Sequence, residues 1–302
     1  DKQAWAAAGI ALPAYDVAAM QKKTYEAPRW VHFGIGNIFR IFLGSIADDL
    51  IAQGLMDTGI TCAETFDFDI VDKIYAPHDN LCLGVTLHKD GSMDKRVIGS
   101  LAECVKAKSD DADNWARLKE IFRAPSLQMV SFTITEKGYG LRKTDGSYLG
   151  YVQQDIEKGP AAPTGAMAVV ASMLLERYKA GGTPITLSSM DNCSHNGSLL
   201  RTSVLTMAQE WKKRGFVDED FLTWLQDETK VSFPWSMIDK ITPRPADFVS
   251  EILTKDGVAG QHIIVTSKST YIAPFVNAEG PQYLVIEDNF PNGRPSLEKG
   301  GV

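Results

Sequence analysis

Apolar residues follow two spacings along this chain. Short unbroken apolar runs predict buried strands, and longer segments with an apolar residue at every third or fourth position predict amphipathic helices. The predicted strands are residues 29–33, 60–64, 127–135 and 184–190. The predicted helices are residues 41–54, 67–75, 113–123 and 166–180, with further helices rich in Trp and Phe up to about residue 227. This alternation predicts an α/β fold on a mostly parallel sheet flanked by helices.

One segment departs from the alternation. Residues 81–88 and 95–100 have the composition of two strands, and the turn residues Lys89-Asp90-Gly91 lie between them. This arrangement predicts a β-hairpin excursion from the parallel sheet.

Composition excludes several classes of protein. The 302 residues are 44% hydrophobic and 23% charged, which is ordinary for a globular chain of one large domain or two. The net charge of −7 argues against a nucleic-acid-binding protein, and no apolar run approaches the roughly 18 residues of a membrane span. The four cysteines are far apart and form no C-x-x-C pair, which favours a reducing cytoplasm over a disulfide framework or a zinc site.

A glycine turn joins the first predicted strand to its helix. Gly34 would allow a tight turn, Gly36 would let a pyrophosphate approach the backbone, and the N–H groups at the start of the helix would meet the anion. The third glycine of the usual fingerprint is missing, because Phe39 and Arg40 stand where it would fall. The position between strand and helix predicts the dinucleotide-binding turn of a Rossmann fold.

Polar residues follow the carboxyl ends of the predicted strands, where such sheets bind ligands. Glu64 and Asp67 follow the second strand. Either acid would accept a hydrogen bond from a ribose hydroxyl and repel a 2′-phosphate, which favours NAD over NADP; the alternative is that one or both are solvated loop acids. Thr135 at the end of the third strand and Glu136 after it are further candidates for cofactor binding, and residues 191–197 follow the fourth strand.

Three residues in or near these segments have competing interpretations. His195 with Asp191 lacks a third metal ligand, so capping or surface hydrogen bonding is preferred to a metal site. Asn192 either caps a helix that begins near residue 198 or donates its amide to a reacting carbonyl or alkoxide oxygen. Asp239 lies between apolar neighbours and either pairs with a nearby cation (Lys240 or Arg244) or lines a site.

Five blocks of sequence, in order, resemble the long-chain mannitol dehydrogenase and fructuronate reductase family of polyol-specific oxidoreductases. They are Phe33-Gly-Ile-Gly36-Asn37-Ile-Phe39-Arg40; Ser131-Phe-Thr-Ile-Thr135-Glu136-Lys-Gly-Tyr139; Ser189-Met-Asp191-Asn192 with Asn196-Gly197; residues 233–243 around Asp239; and residues 285–290 with Gly293-Arg294-Pro295.

The resemblance implies NAD(P)-dependent, metal-independent interconversion of a secondary alcohol with a ketose or keto-sugar acid. It implies that Asn192 helps to hold the reacting oxygen and that Asp239 lines the site near the nicotinamide. Asn37, Phe39 and Arg40 would belong to the family's cofactor turn. Fructuronate–mannonate chemistry is favoured because residues 133–139 look most like that branch, followed by mannitol–fructose and tagaturonate–altronate.

One family motif is missing. The proton-transferring lysine of the family lies in a helical C-terminal domain within Lys-x4-Asn-x2-His, and this pattern occurs nowhere in the chain. We therefore expect residues 1–275 to be a dinucleotide-binding domain with an N-terminal extension. Residues 276–302 would be a connector to a C-terminal helical domain that is absent. The expected partner is a small sugar alcohol or sugar acid, with no nucleic acid, membrane or metal, and the chain is expected to be a monomer. The alternative is a catalytically silent dinucleotide-binding module.

Overall fold

The computed structural model describes residues 1–302. Its strands are β1 (Ile10–Ala11), β2 (Trp30–Phe33), β3 (Ile60–Glu64), β4 (Cys82–Leu87), β5 (Met93–Ile98), β6 (Leu101–Lys106), β7 (Met129–Phe132), β8 (Ile185–Ser189), β9 (Val231–Ser232), β10 (Ser236–Lys240), β11 (Ile264–Val265), β12 (Tyr271–Ile272), β13 (Phe275–Glu279) and β14 (Gln282–Ile286). Its α-helices are α1 (Lys2–Ala7), α2 (Val17–Glu26), α3 (Gly44–Ala52), α4 (Phe68–Ile70), α5 (Ala112–Arg123), α6 (Thr135–Tyr139), α7 (Gly150–Lys158), α8 (Ala166–Lys179), α9 (Asn196–Lys213), α10 (Glu219–Gln226) and α11 (Asp247–Lys255). Two π-helical turns (Phe39–Leu43 and Val71–Tyr75) and two 3₁₀ helices (Ala76–His78 and Leu297–Gly300) complete the list.

A six-stranded sheet in the order β6-β3-β2-β7-β8-β9 forms the centre of the fold. All five pairs of neighbouring strands are parallel. This is the 3-2-1-4-5-6 order of a Rossmann fold, in which the order reverses beside the first strand. The predicted α/β class with a mostly parallel sheet is confirmed.

Strand register aligns the carboxyl ends of four strands. Phe33 at the end of β2 pairs with Ala63 and with Phe132 on its two sides, and Phe132 pairs with Ser189. The residues that follow these positions therefore lie along one edge of the sheet, which we call the carboxyl edge. The glycine turn after β2 lies at its centre.

A second sheet in the order β1-β5-β4-β13 contains the predicted hairpin. Strands β4 and β5 are antiparallel neighbours, whereas β13 is parallel to β4 and β1 is parallel to β5. Residues 276–302, which the sequence suggested as a connector, contain most of β13 and all of β14. Strand β14 pairs with β10, and the buried Leu297 packs into the core.

The third predicted strand, residues 127–135, is too long. Strand β7 ends at Phe132, and α6 begins at Thr135. Apolar residues continue through Ile134, so the sequence pattern gave no sign of the end. Just past the strand, the backbone N–H groups of Ile134 and Thr135 donate to the side chain of Asp191, far away in sequence, and not to a neighbouring strand.

Hydrophobic cores cover both faces of the six-stranded sheet. Val31 and Phe33 of β2 belong to a cluster of 37 buried residues that also includes side chains of α5, α8 and α9. Trp30 belongs to a second cluster of 25 residues that includes side chains of α3. Alternate residues of one strand thus enter opposite cores, as expected for a strand buried on both faces. No helix is both long and apolar enough to cross a membrane.

Candidate functional site at the carboxyl edge

The turn after β2 requires glycine at one position and leaves open space at another. Gly34 has φ +92°, and a Cβ there would lie 2.0 Å from the Thr133 carbonyl oxygen. A Cβ on Gly36 would meet no atom within 4 Å. Gly34 is therefore needed for the shape of the turn, whereas the backbone at Gly36 is accessible to a ligand. Such an accessible backbone fits the close approach that a pyrophosphate makes.

Glu64 lies beside this turn. Its carboxylate accepts hydrogen bonds from the backbone N–H groups of Ile35 (3.3 Å), Phe66 (3.2 Å) and Asp67 (3.4 Å). Burial raises the pKa of Glu64, and these N–H groups oppose the shift. The carboxyl group is thus fixed at the end of the second Rossmann strand, where dinucleotide-binding folds contact the adenosine ribose.

Asp67, the second predicted ribose acceptor, is buried to nearly the same degree as Glu64 (4% and 7% exposed). Its Oδ2 atom accepts a hydrogen bond from the Thr266 hydroxyl at 2.6 Å, and its Oδ1 atom has no partner. Asp67 therefore joins the loop after β11 to the segment after β3, and one of its two carboxylate oxygens is already bound by Thr266.

Asn37, Phe39 and Arg40 differ in exposure. Phe39 and Arg40 are fully buried, so neither side chain is accessible to a cofactor as the sequence suggested. The Arg40 guanidinium donates to the Ala273 carbonyl oxygen at 2.9 Å and to the Asn37 side-chain oxygen at 2.8 Å. These residues support the glycine turn from beneath.

Asp191 organises the segment after β7. Its carboxylate accepts from the N–H groups of Ile134 and Thr135, each at 3.0 Å, and from the Tyr139 hydroxyl at 2.5 Å. Thr135 has φ +63°, a strained conformation for a β-branched residue, and these contacts hold it there. Burial raises the pKa of Asp191, while its three donors stabilise the ionised form. Thr135 and Glu136 are exposed at the edge.

Asn192 caps no helix, whereas His195 occupies the N-cap position of α9 without a side-chain capping hydrogen bond. Asn192 is exposed and makes no hydrogen bond, and helix α9 begins four residues later at Asn196. His195 stacks on Trp235 with ring centroids 4.3 Å apart. No group of three or more His, Cys, Asp or Glu side chains is arranged to bind a metal ion.

Asn196 joins the segment after β8 to strand β10. Its side-chain nitrogen donates to the Ser189 and Asp191 carbonyl oxygens (3.0 and 3.1 Å) and to the Ser236 hydroxyl (2.9 Å). Its side-chain oxygen accepts from the Ser236 N–H at 3.0 Å. This fully buried residue therefore fixes the segment that carries Asn192 against the strand that carries Asp239.

Asp239 is exposed on the outer face of the β10–β14 ribbon. It lies opposite Tyr283, beside the cross-strand pair of Met237 and Val285. Met237 and Val285 are 65% and 61% exposed, so apolar surface surrounds the carboxylate. Asp239 makes no ion pair; Lys240 donates to the Gly280 carbonyl oxygen, and Arg244 stacks on Tyr271.

Sequence reasoning missed the roles of Asp191 and Asn196. The sequence signal available for Asn196 was the adjacent Gly197, whose Cβ would meet the Phe233 carbonyl oxygen at 2.4 Å. The sequence itself shows only an Asn-Gly pair. The burial of Asn196 and the close approach of another backbone to Gly197 become visible in the structure.

The parallel strand order, the glycine turn and the polar carboxyl edge define a Rossmann dinucleotide-binding domain. Residues 28–299 match the family described as "Mannitol dehydrogenase Rossmann domain", and the chain belongs to this family.

Relatives of known name support the same assignment. The chain is 50% identical over 298 residues to the D-mannonate oxidoreductase of Thermotoga maritima, covering 99% of this chain and 55% of that protein. It is 29% identical to the polyol:NADP oxidoreductase of Gluconobacter oxydans, covering 98% and 56%. The solved structure of Pseudomonas fluorescens mannitol 2-dehydrogenase, a ternary complex with NAD and D-mannitol, superposes with a TM-score of 0.77 at 27% identity, covering 97% of this chain and 55% of that chain. The chain thus spans about half the length of these relatives.

Proposed function

We propose that this chain is the dinucleotide-binding part of an oxidoreductase that interconverts a sugar acid or sugar alcohol with its keto form. One observation carries the proposal: the glycine turn, Glu64 and Asn192 lie along one carboxyl edge, in a chain 50% identical to a D-mannonate oxidoreductase. The nicotinamide dinucleotide supplies hydride-transfer chemistry when bound.

Each residue at the edge has a separate proposed task. The open backbone at Gly36 admits the pyrophosphate, and Glu64 accepts a hydrogen bond from the adenosine ribose. The exposed Asn192 amide donates to the substrate oxygen on which negative charge develops. Asp239 lines the substrate side and carries the negative charge of the otherwise apolar ribbon face.

We propose NAD rather than NADP as the preferred cofactor. The fixed carboxylate of Glu64 would repel a 2′-phosphate and accept a hydrogen bond from a 2′-hydroxyl. Relatives point in both directions, because one is named for NADP and the structure of another contains NAD.

A hexonate is the proposed substrate, with D-mannonate first and altronate or mannitol after it. The identity of 50% to the D-mannonate oxidoreductase, against 29% to the polyol oxidoreductase, supports this order. Recognition of a carboxylate requires a cation, and we expect much of that recognition to come from outside these 302 residues.

A catalytically silent dinucleotide-binding module is the second candidate. It applies only if no further residues supply the family's proton-transferring lysine, whose motif Lys-x4-Asn-x2-His these 302 residues lack. That lysine matters because a neutral lysine is suited to accept the proton of the alcohol.

Two measurements test the proposal. First, the 302-residue chain is titrated with NADH by calorimetry, where we expect saturable binding. The same chain is assayed with mannonate and mannitol, where we expect little oxidation. Second, the full gene product is assayed with mannonate, altronate and mannitol, each with NAD and NADP. We expect the highest kcat/KM with mannonate and NAD. If the full gene product converts no hexonate or polyol, the silent module becomes the preferred function. If the chain does not bind NADH, both candidate functions are excluded.

A further inference from the structure

A buried set of polar side chains lies directly beneath the glycine turn. Trp30 and His32 of β2 face Ser131 of β7 and Thr133 just beyond it, and all but Thr133 are at most 1% exposed. His32 also stacks on Phe39, with ring centroids 4.0 Å apart and planes within 6°. The set therefore touches the first Rossmann strand, the strand after it in the sheet and the start of the helical segment.

The number of hydrogen-bond donors on each side chain fixes which group donates and which accepts in each of these contacts. Trp30 only donates, and it binds the Ser131 hydroxyl at 2.7 Å. The Ser131 hydroxyl hydrogen then goes to His32 Nδ1 at 2.6 Å. At the other end, the Thr133 hydroxyl donates to the Gly34 carbonyl oxygen at 2.8 Å, so it accepts from His32 Nε2–H at 2.8 Å.

The opposite tautomer of His32 fits less well. With hydrogen on Nδ1, Ser131 would accept from two donors, and its own hydrogen would have no partner. Thr133 would donate to His32 Nε2, and its contact with the Gly34 carbonyl oxygen would be lost. Because an unpaired buried polar group is costly, the tautomer with hydrogen on Nε2 is the stable one.

The end of this chain of hydrogen bonds is a peptide group of the proposed cofactor turn. The carbonyl oxygen of the Gly34–Ile35 peptide accepts from Thr133, and the N–H of the same peptide donates to Glu64 at 3.3 Å. This peptide plane is therefore held from both sides, by residues that follow β7 and end β3.

We propose that His32 and Thr133 are positioning residues for dinucleotide binding, which fix the Gly34–Ile35 peptide so that the open backbone at Gly36 meets the pyrophosphate. The inference rests on the proposed function. Without the Thr133 hydroxyl, the peptide keeps only its N–H contact with Glu64, and binding must then bear the cost of ordering its carbonyl side.

The test compares three variants of the 302-residue chain. Thr133→Val removes the hydroxyl at nearly constant volume, and Thr133→Ser retains it. Thr24→Val is the matched control, because Thr24 is a buried threonine whose hydroxyl, like that of Thr133, donates to one backbone carbonyl oxygen (Met20) and accepts one N–H hydrogen bond (from Gly59). Gly59 precedes β3, so this control lies at the opposite edge of the sheet.

We expect NADH to bind Thr133→Val about tenfold more weakly than the wild type, which corresponds to the loss of one directed contact. Binding to Thr133→Ser and Thr24→Val should stay within about twofold of the wild type. Amide hydrogen exchange at Ile35 and Gly36 should be faster in Thr133→Val alone. Unchanged NADH affinity and exchange in Thr133→Val would overturn the inference, and so would equal weakening in Thr24→Val. Failure of the wild type to bind NADH would instead refute the proposed function.

Discussion

At the scale of single residues, the positions of candidate binding residues were easier to predict than the contacts of their side chains. Gly34, Gly36 and Glu64 lie at the edge that the sequence indicated. Asp67 was predicted from the same pattern as Glu64, yet its carboxylate binds Thr266, which is 199 residues away. No local pattern encodes such a distant partner, so sequence alone could not separate the two acids.

Neutralising each acid separately tests which one discriminates between cofactors. We expect Glu64→Gln to shift the ratio of NADPH to NADH affinity by at least about tenfold toward NADPH, because the repulsion of a 2′-phosphate is removed. Asp67→Asn should leave this ratio within about twofold, because that carboxylate is bound to the Thr266 hydroxyl. Fluorescence titration with both nucleotides measures the ratio. An equal shift in both variants would contradict the assignment to Glu64.

His32 should make the stability of the folded state depend on pH. Burial lowers the pKa of His32 well below its usual 6.5, so the folded protein keeps it neutral while the unfolded chain takes up a proton. The free energy of unfolding should therefore fall below pH 6.5, by up to about 1.4 kcal/mol per pH unit from this group. Urea unfolding at pH 7.0 and 5.5 measures the effect.

The matching variant is His32→Asn, which we expect to be less stable at pH 7.0 but to lose less stability on acidification. Parallel pH dependence in the wild type and the variant would show that His32 does not stay neutral in the folded state.

At the scale of elements, regular segments were predictable and terminations were not. Strands β2, β3 and β8 lie within one or two residues of the predicted runs, because buried parallel strands are continuously apolar. The backbone N–H groups just past β7 bind Asp191, and the β10–β14 ribbon depends on a pairing between segments more than 40 residues apart. These features arise from tertiary contacts that the apolar pattern does not record.

The two glycines of the turn should respond differently to alanine. Gly34→Ala should destabilise the protein by more than the about 1–3 kcal/mol of a strained φ, because its Cβ also collides with Thr133. Gly36→Ala should keep the free energy of unfolding within about 1 kcal/mol of the wild type, because its Cβ meets no atom. It should nevertheless weaken NADH binding at least about tenfold. Chemical denaturation and calorimetry measure these effects, and full NADH affinity in Gly36→Ala would contradict the proposed pyrophosphate position.

At the scale of the whole molecule, the chain is a Rossmann domain extended by a second sheet. Strands from both ends of the sequence, β1 and β13, join the hairpin in that sheet, so the last 27 residues are integrated into the fold. The outer face of the β10–β14 ribbon leaves apolar side chains exposed around Asp239. The chain spans about half the length of the relatives it matches.

The central claim is that the carboxyl edge binds a nicotinamide dinucleotide. Backbone amide chemical shifts of the 302-residue chain, recorded during titration with NADH, test it most directly. We predict saturable shifts at residues 34–37, 64–66 and 133–136, with small changes at the opposite edge around Arg29 and Gln128. Absence of saturable shifts, or shifts concentrated at that opposite edge, would contradict the account.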